Sequence, residues 1–316
     1  MAKSRMTAVN RSLPFAKFRK ALEAETRAFW HVLASLEYAT RWWDSIPHRP
    51  VRLSRYSGDD RTPFRQIDIP VDEYLSNCAQ VRTFIRENAV VSIVTAFEFY
   101  LFELLERLIY LDPMLIGDSS MKIEAKELAA AVPRGDVRRW FATRVADNYI
   151  RNKNHAEMIS KIAKFSKAGI SARLKDKIDE WNKWSFVRNA IVHTSRFVTS
   201  DLAQIWPARF TRLGSALELS DQEVGRVQYL ALLIAREIDK RAVASTIGKK
   251  DAYVLVRELF VQKGIDDVKE LRRRIVECLS TILSVADISH VIAQQRKGLF
   301  LDTWVLDPGD LEELIG

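Results

Sequence analysis

The sequence predicts an all-α protein: a helical bundle with an irregular N-terminal loop and a C-terminal helical extension. Three observations carry that prediction. Glycine and proline are scarce, 11 and 9 in 316 residues, which leaves long stretches free for helix. Apolar residues recur at helical spacing, most strictly at Val90, Val94, Phe97, Leu101, Leu104 and Leu108. No strand-like alternation persists, and no internal repeat or low-complexity tract is visible.

In chain order, Phe15 to Asp44 reads as a long helix, with Phe18, Leu22, Phe29, Val32, Leu33 and Leu36 near helical spacing. Pro47 and Pro50 end it, because proline cannot continue a helix. Residues 46 to about 71 read as an irregular loop with a short extended piece at Phe64 to Ile69, and Asp72 as the N-cap of the next helix. The segment 73–111 is the strongest helical signal, either one helix or two broken near Asn88, and L-D-P stops it. Further helices are expected at 122–131, 136–148, 154–165, and 171–183 running into 184–197. Pro207 marks a break; helices follow at 220–241, 251–263, 266–284 and 286–296.

These elements suggest three stretches: 1–75 with the first helix and loop, a helical domain at 76–241, and the extension 242–316. The 47% hydrophobic content supports a sizeable core. No uninterrupted apolar run reaches about 18 residues, so no transmembrane helix and no membrane partner are expected. The N-terminus is basic without an apolar stretch behind it, unlike a secretory signal. Two cysteines, Cys78 and Cys278, make a disulfide framework unexpected and fit a reducing cytoplasm. Net charge is +8, which suits an anionic partner such as RNA or DNA. From Ala242 onward there are 10 basic and 12 acidic residues, against 39 and 29 before it, so the positive charge lies in the first three-quarters.

Chemistry concentrates in S-F-V-R-N-A-I-V-H, Ser185 to His193. Trp184, Val187, Ile191, Thr194 and Val198 form a stripe that should face the core. Asn189 and His193 are four apart and share a face, which Ser185 and Arg196 extend; Arg188 reaches over it from one step round. A half-exposed polar face with a structural histidine would give the same short pattern. On the strong helix, Glu98 has only Val94, Thr95, Leu101 and Phe102 within a turn, so its carboxylate needs a partner from another helix or must be protonated. Glu103 and Glu106, near Arg107, read as surface charges.

The pairing of A-F-E-F-Y-L-F-E-L-L on one long helix with W-S-F-V-R-N-A-I-V-H on a later one resembles the HEPN superfamily, particularly its RiboL-PSP type. The hallmark there is Arg, four to six residues, then His, often with Asn after the Arg. Arg188, Asn189 and His193 match it, Glu98 matches the branch's acidic position, and the resemblance spans roughly residues 85–241. It implies a HEPN-like fold and a metal-independent endoribonuclease, a toxin or anti-phage defence effector, needing no cofactor. Its partners would be RNA, a second copy completing a composite active site in a homodimer, and an antitoxin or defence-system protein. By that implication His193 moves the proton of the ribose 2′-hydroxyl or of the leaving 5′-oxygen. Arg188 stabilises the charge developing on phosphorus. Asn189 holds the imidazole or a phosphate oxygen, and Glu98 orients Arg188 or His193. The products would be a 2′,3′-cyclic phosphate and a 5′-hydroxyl.

The alternatives are a non-catalytic HEPN module that binds RNA or a protein, and an unrelated helical regulator. R-N-K-N-H at 151–155 is a near-copy with a shorter gap; its polar neighbours suggest a solvated or RNA-contacting face. Some HEPN toxins carry a modifiable Tyr two residues after the His; Ser195 stands there in this chain. His31, His48 and His290 read as isolated, structural or solvent-facing. No metal-ligand spacing and no phosphate-binding glycine loop is visible. Arg272 to Arg274 suggest packing or a partner contact, and G-L-F-L-D-T-W-V-L a docking segment against the bundle or another protein.

Overall fold

A computed structural model describes residues 10–53, 69–117, 124–132, 136–150, 153–166, 169–194 and 196–315. Among them the protein is all-α, with no strand and two isolated antiparallel bridges, Arg52 with Pro70 and Phe197 with Ala216. The α-helices are α1 Leu13–Ser45, α2 Val71–Leu111, α3 Ala125–Ala131, α4 Val137–Ile150, α5 His155–Phe165 and α6 Ala172–His193. They continue with α7 Ser200–Ile205, α8 Asp221–Ala242, α9 Lys250–Lys263, α10 Val268–Leu279, α11 Val285–Arg296 and α12 Pro308–Ile315.

Several boundaries differ from the expectation. Helix α2 runs unbroken through Asn88, because Glu87, Ala89 and Val90 beside it are buried and hold the turn. Asp72 lies inside its first turn rather than capping it, where a carboxylate favours the positive end of the helix dipole. Helix α6 is continuous across Lys183 but stops at His193, not 197. Helix α10 ends at Leu279, five residues early, because Ser280 turns left-handed at φ 51°. Most of the extended piece at Phe64–Ile69, and residues 122–123 of the third expected helix, lie outside the described residues. The sequence boundary at 75/76 falls within α2, and that at 241/242 at the end of α8, where a π-helical turn, Val243–Ile247, follows.

The chain forms two compact units. The first comprises Met1–Leu22, Thr95–Ser185 and Tyr229–Gly316, the second Glu23–Val94 and Phe186–Gln228. In the first, Phe97 is fully buried and packs against Phe18 (6.0 Å between centroids), Tyr100 (6.0 Å) and Trp181 (4.6 Å). The Tyr100 hydroxyl donates to the Ala235 carbonyl of α8 at 3.0 Å, which satisfies it without water. Helix α9 packs on α10, α11 and α12. The stripe Val90, Val94, Phe97, Leu101, Leu104 and Leu108 is fully buried, as its spacing requires. Helix α2 is long and apolar enough to cross a membrane by length and composition alone, and its inward stripe serves as protein core.

A charged network also sits inside the first unit, against the reading of this part of α2 as a solvated face. Arg107 is fully buried; it donates Nε to Asp251 Oδ1 (2.7 Å), Nη1 to Asp302 Oδ1 (3.2 Å) and Nη2 to Asp302 Oδ2 (2.8 Å). Its guanidinium also lies 5.0 Å from the Trp304 ring centre. Asp251 Oδ2 accepts the Leu13 backbone N–H at 2.8 Å, so one carboxylate ties the start of α1 to α9 and α2. Glu106 is buried as well and accepts from the Thr143 hydroxyl. Glu103 takes an ammonium contact from Lys17, and burial raises the pKa of both carboxyls. Sequence spacing missed this because α2 is covered on more than one side. The segment G-L-F-L-D-T-W-V-L does dock on the bundle: Asp302 pairs with Arg107, and Trp304 and Leu306 are buried. In α10, Arg273 pairs with Glu270 and Glu277 of its own helix, while Arg274 pairs with Glu270 and also donates Nη1 to the Ile315 carbonyl of α12 at 3.0 Å.

In the second unit, Trp43, Leu53 and Val71 form a buried cluster that closes the base of the loop, flanked by Ile46, Ile69, Tyr74 and Leu75. Leu53 N donates to the Ile69 carbonyl at 3.1 Å and fixes the two ends of the loop together. Neither cysteine is in a disulfide; both are buried.

Candidate active site

Helix α6 carries the R-N-x-x-x-H face because its other side is a core stripe. Trp181, Trp184, Val187 and Ala190 are all buried, at three-residue spacing. That anchoring leaves Asn189 and His193 exposed one turn apart, with Arg188 half-buried between face and core. Arg188 Nη1 donates to Asn189 Oδ1 at 3.0 Å, so guanidinium and carboxamide are held together. Ser185 does not extend this face: it is buried, and its hydroxyl donates to the Asn182 carbonyl at 2.7 Å.

Arg196 does not extend it either. The helix has ended, and Arg196 sits in the left-handed region at φ 71°, a strained conformation for a residue with a Cβ. Its backbone N–H reaches the Ala190 carbonyl at 3.3 Å and closes the helix terminus. Its side chain leaves the face: Nε pairs with Glu87 Oε2 at 3.1 Å, and the guanidinium lies 5.2 Å from the Phe84 ring centre. Burial raises the Glu87 carboxyl pKa, and the Arg196 charge opposes that rise. Arg196 thus fixes where α6 stops, and with it the position of His193 at the last helical residue.

Glu98 belongs to the first unit and the R-N-x-x-x-H face to the second. Within its unit, Glu98 has the partner from another helix that its apolar neighbours required. Its Oε1 lies 2.8 Å from Nε2 of His155, on α5. His155 is buried, which overturns its reading as part of a solvated face; Arg151 and Asn152 lie outside the described residues. Asn154 caps α5, its side chain accepting the Glu157 N–H at 2.9 Å, so His155 is the first helical residue. On its other side, Nδ1 of His155 receives the indole N–H of Trp181 at 2.8 Å. An indole nitrogen only donates, so Nδ1 must be the bare nitrogen and Nε2 must carry the proton toward Glu98. The ring is thereby fixed in one tautomer, and it stacks on Trp181 at 5.8 Å between centroids.

No known protein family, no curated protein and no solved structure matches this chain. The residues themselves therefore carry the functional reading. Among the described residues, no group of three or more His, Cys, Asp or Glu is placed to hold a metal ion. The α6 face offers a planar cation, a carboxamide and an open imidazole, which together can bind an oxyanion and exchange a proton. Sequence reasoning missed His155 and Trp181. A signal was present: His155, Met158, Ile159 and Ile162 fall at helical core spacing, and all four are buried.

Proposed function

We propose that the chain is a metal-independent endoribonuclease of HEPN type, acting as a homodimer in a toxin or defence role. The observation that carries the reading is the Arg188–Asn189 side-chain bond of 3.0 Å beside the exposed His193. In that reading Arg188 binds a non-bridging phosphate oxygen and opposes the charge that builds on phosphorus. One His193 takes the proton of the ribose 2′-hydroxyl as its oxygen bonds to phosphorus. The bond from phosphorus to the 5′-oxygen breaks, and that oxygen takes a proton from the second protomer's His193. The products are a 2′,3′-cyclic phosphate and a 5′-hydroxyl. Glu98 enters as the acidic residue of the resemblance, with its carboxylate orientation set by His155.

The deciding experiment incubates the purified chain with mixed cellular RNA in excess EDTA. Cleavage to cyclic-phosphate ends supports the reading. Strict dependence on added magnesium or manganese overturns the mechanism. RNA bound but left intact points to a non-catalytic RNA-binding module instead.

A further inference from the structure

A second ligand site is built into the first unit. A cavity of about 780 Å³ is bounded by α9, α11 and residues 300–302, within the roughly 300–1,000 Å³ usual for small-molecule sites. None of Glu98, Arg188, Asn189 or His193 lines it. Its walls include the rings of Tyr110, Tyr253 and Phe300, which suit a planar aromatic body. Around them stand Arg138, Lys250, His290 and the carboxamide of Gln294.

The wall carries two cations and two carboxylates, but the carboxylates are paired with cations that lie outside it. Asp302 takes two nitrogens of Arg107, at 3.2 and 2.8 Å. Asp287 takes Lys249 Nζ at 3.1 Å and the Ser284 N–H at 3.0 Å. The two cations on the wall, by contrast, have no carboxylate partner among the described residues: they bond to carbonyl oxygens, and the Arg138 guanidinium also lies 4.9 Å from the Tyr110 ring centre. Arg138 donates to Tyr110 O (2.6 Å) and Leu111 O (3.2 Å), and Lys250 to Thr246 O (3.0 Å). Each therefore keeps donors and most of its charge for a ligand. His290 is exposed on the same wall.

We infer that the cavity binds a nucleoside monophosphate: the base lies among Tyr110, Tyr253 and Phe300, Gln294 reads its polar edge, and Arg138, Lys250 and His290 take the phosphate. Isothermal titration calorimetry of the full chain with AMP, GMP, CMP and UMP tests this, with the four nucleosides and inorganic phosphate as controls. At least one monophosphate should bind, and its nucleoside at least about 10-fold more weakly, because charge-assisted hydrogen bonds are lost. Lys250→Gln and Arg138→Gln should each weaken the monophosphate about 10-fold, and Arg188→Ala should not. Lys250 is exposed, so its variant decides even if the Arg138 variant, which loses a cap on α2, fails to fold. The inference is overturned if no monophosphate binds, if nucleosides bind equally well, or if affinity falls with Arg188 instead of Lys250.

Discussion

Trp181 donates its indole N–H to Nδ1 of His155 at 2.8 Å, and that single bond dictates what the other side of the ring can do. With Nδ1 occupied as an acceptor, Nε2–H points its proton at Glu98 Oε1, 2.8 Å away. The histidine that sits in the weaker motif is thus a structural connector. The one that matches the hallmark, His193, is exposed.

Trp181→Phe should destabilise the protein by about 2–4 kcal/mol in urea unfolding, since it strands a buried imidazole nitrogen and leaves a gap. A loss below about 0.5 kcal/mol would show that the bond does not hold the tautomer. Glu98→Gln keeps an oxygen for Nε2–H to reach, so stability should move by less than about 1 kcal/mol. RNA cleavage by that variant should nevertheless fall.

His193→Ala should leave stability within about 0.5 kcal/mol, as expected for an exposed side chain, and reduce cleavage about 10²–10⁴-fold. Mixing it with wild-type protein should give heterodimers of much-reduced activity. Full activity from a stable monomer would refute the composite site.

Arg107→Ala should cost about 3–5 kcal/mol, because it leaves the buried Asp251 without its cation. It should also release residues 299–306, read as faster cleavage of that segment by a protease under native conditions. Unchanged protection would mean that Trp304 and Leu306 hold the segment without the ion pair.

Asp239 gives a pH signature. Burial pushes its carboxyl from 3.8 up to about 7, opposed by bonds from Ser12 and the charge of Arg11. Between those values the folded protein holds a proton that the unfolded chain has released. Unfolding then releases a proton, and the contribution falls as pH rises from about 4 to 7. Asp239→Asn cannot titrate, and its amide oxygen can still accept from Ser12. Its stability, measured at pH 5 and pH 8, should therefore fall less than that of the wild type. Equal falls would remove Asp239 as the cause.

The all-α class and most helices were legible because glycine and proline are scarce and core stripes at helical spacing are written directly in α2 and α6. The R-N-x-x-x-H face was legible for the same reason: Trp184 and Val187 had to point inward, which left Asn189 and His193 outside. The burial of Arg107 and Glu106 was not, because their carboxylate and hydroxyl partners come from distant segments that local spacing cannot reveal. Arg196 was misplaced by one assumption, that α6 continues; its left-handed backbone turns the side chain toward Glu87.

The bond between Arg107 and Asp302 joins residues 195 positions apart. At a synthesis rate of about 5–20 residues per second, Arg107 leaves the ribosome roughly 10–40 s before its second carboxylate exists. Leu13 waits longer still for Asp251, 238 positions away. The second unit, whose residues end at Gln228, has all its parts sooner. For the nascent chain, the first unit is therefore an assembly of early segments around late ones. Until Asp302 emerges, the Arg107 guanidinium lacks one of the two carboxylates that hold it in the interior.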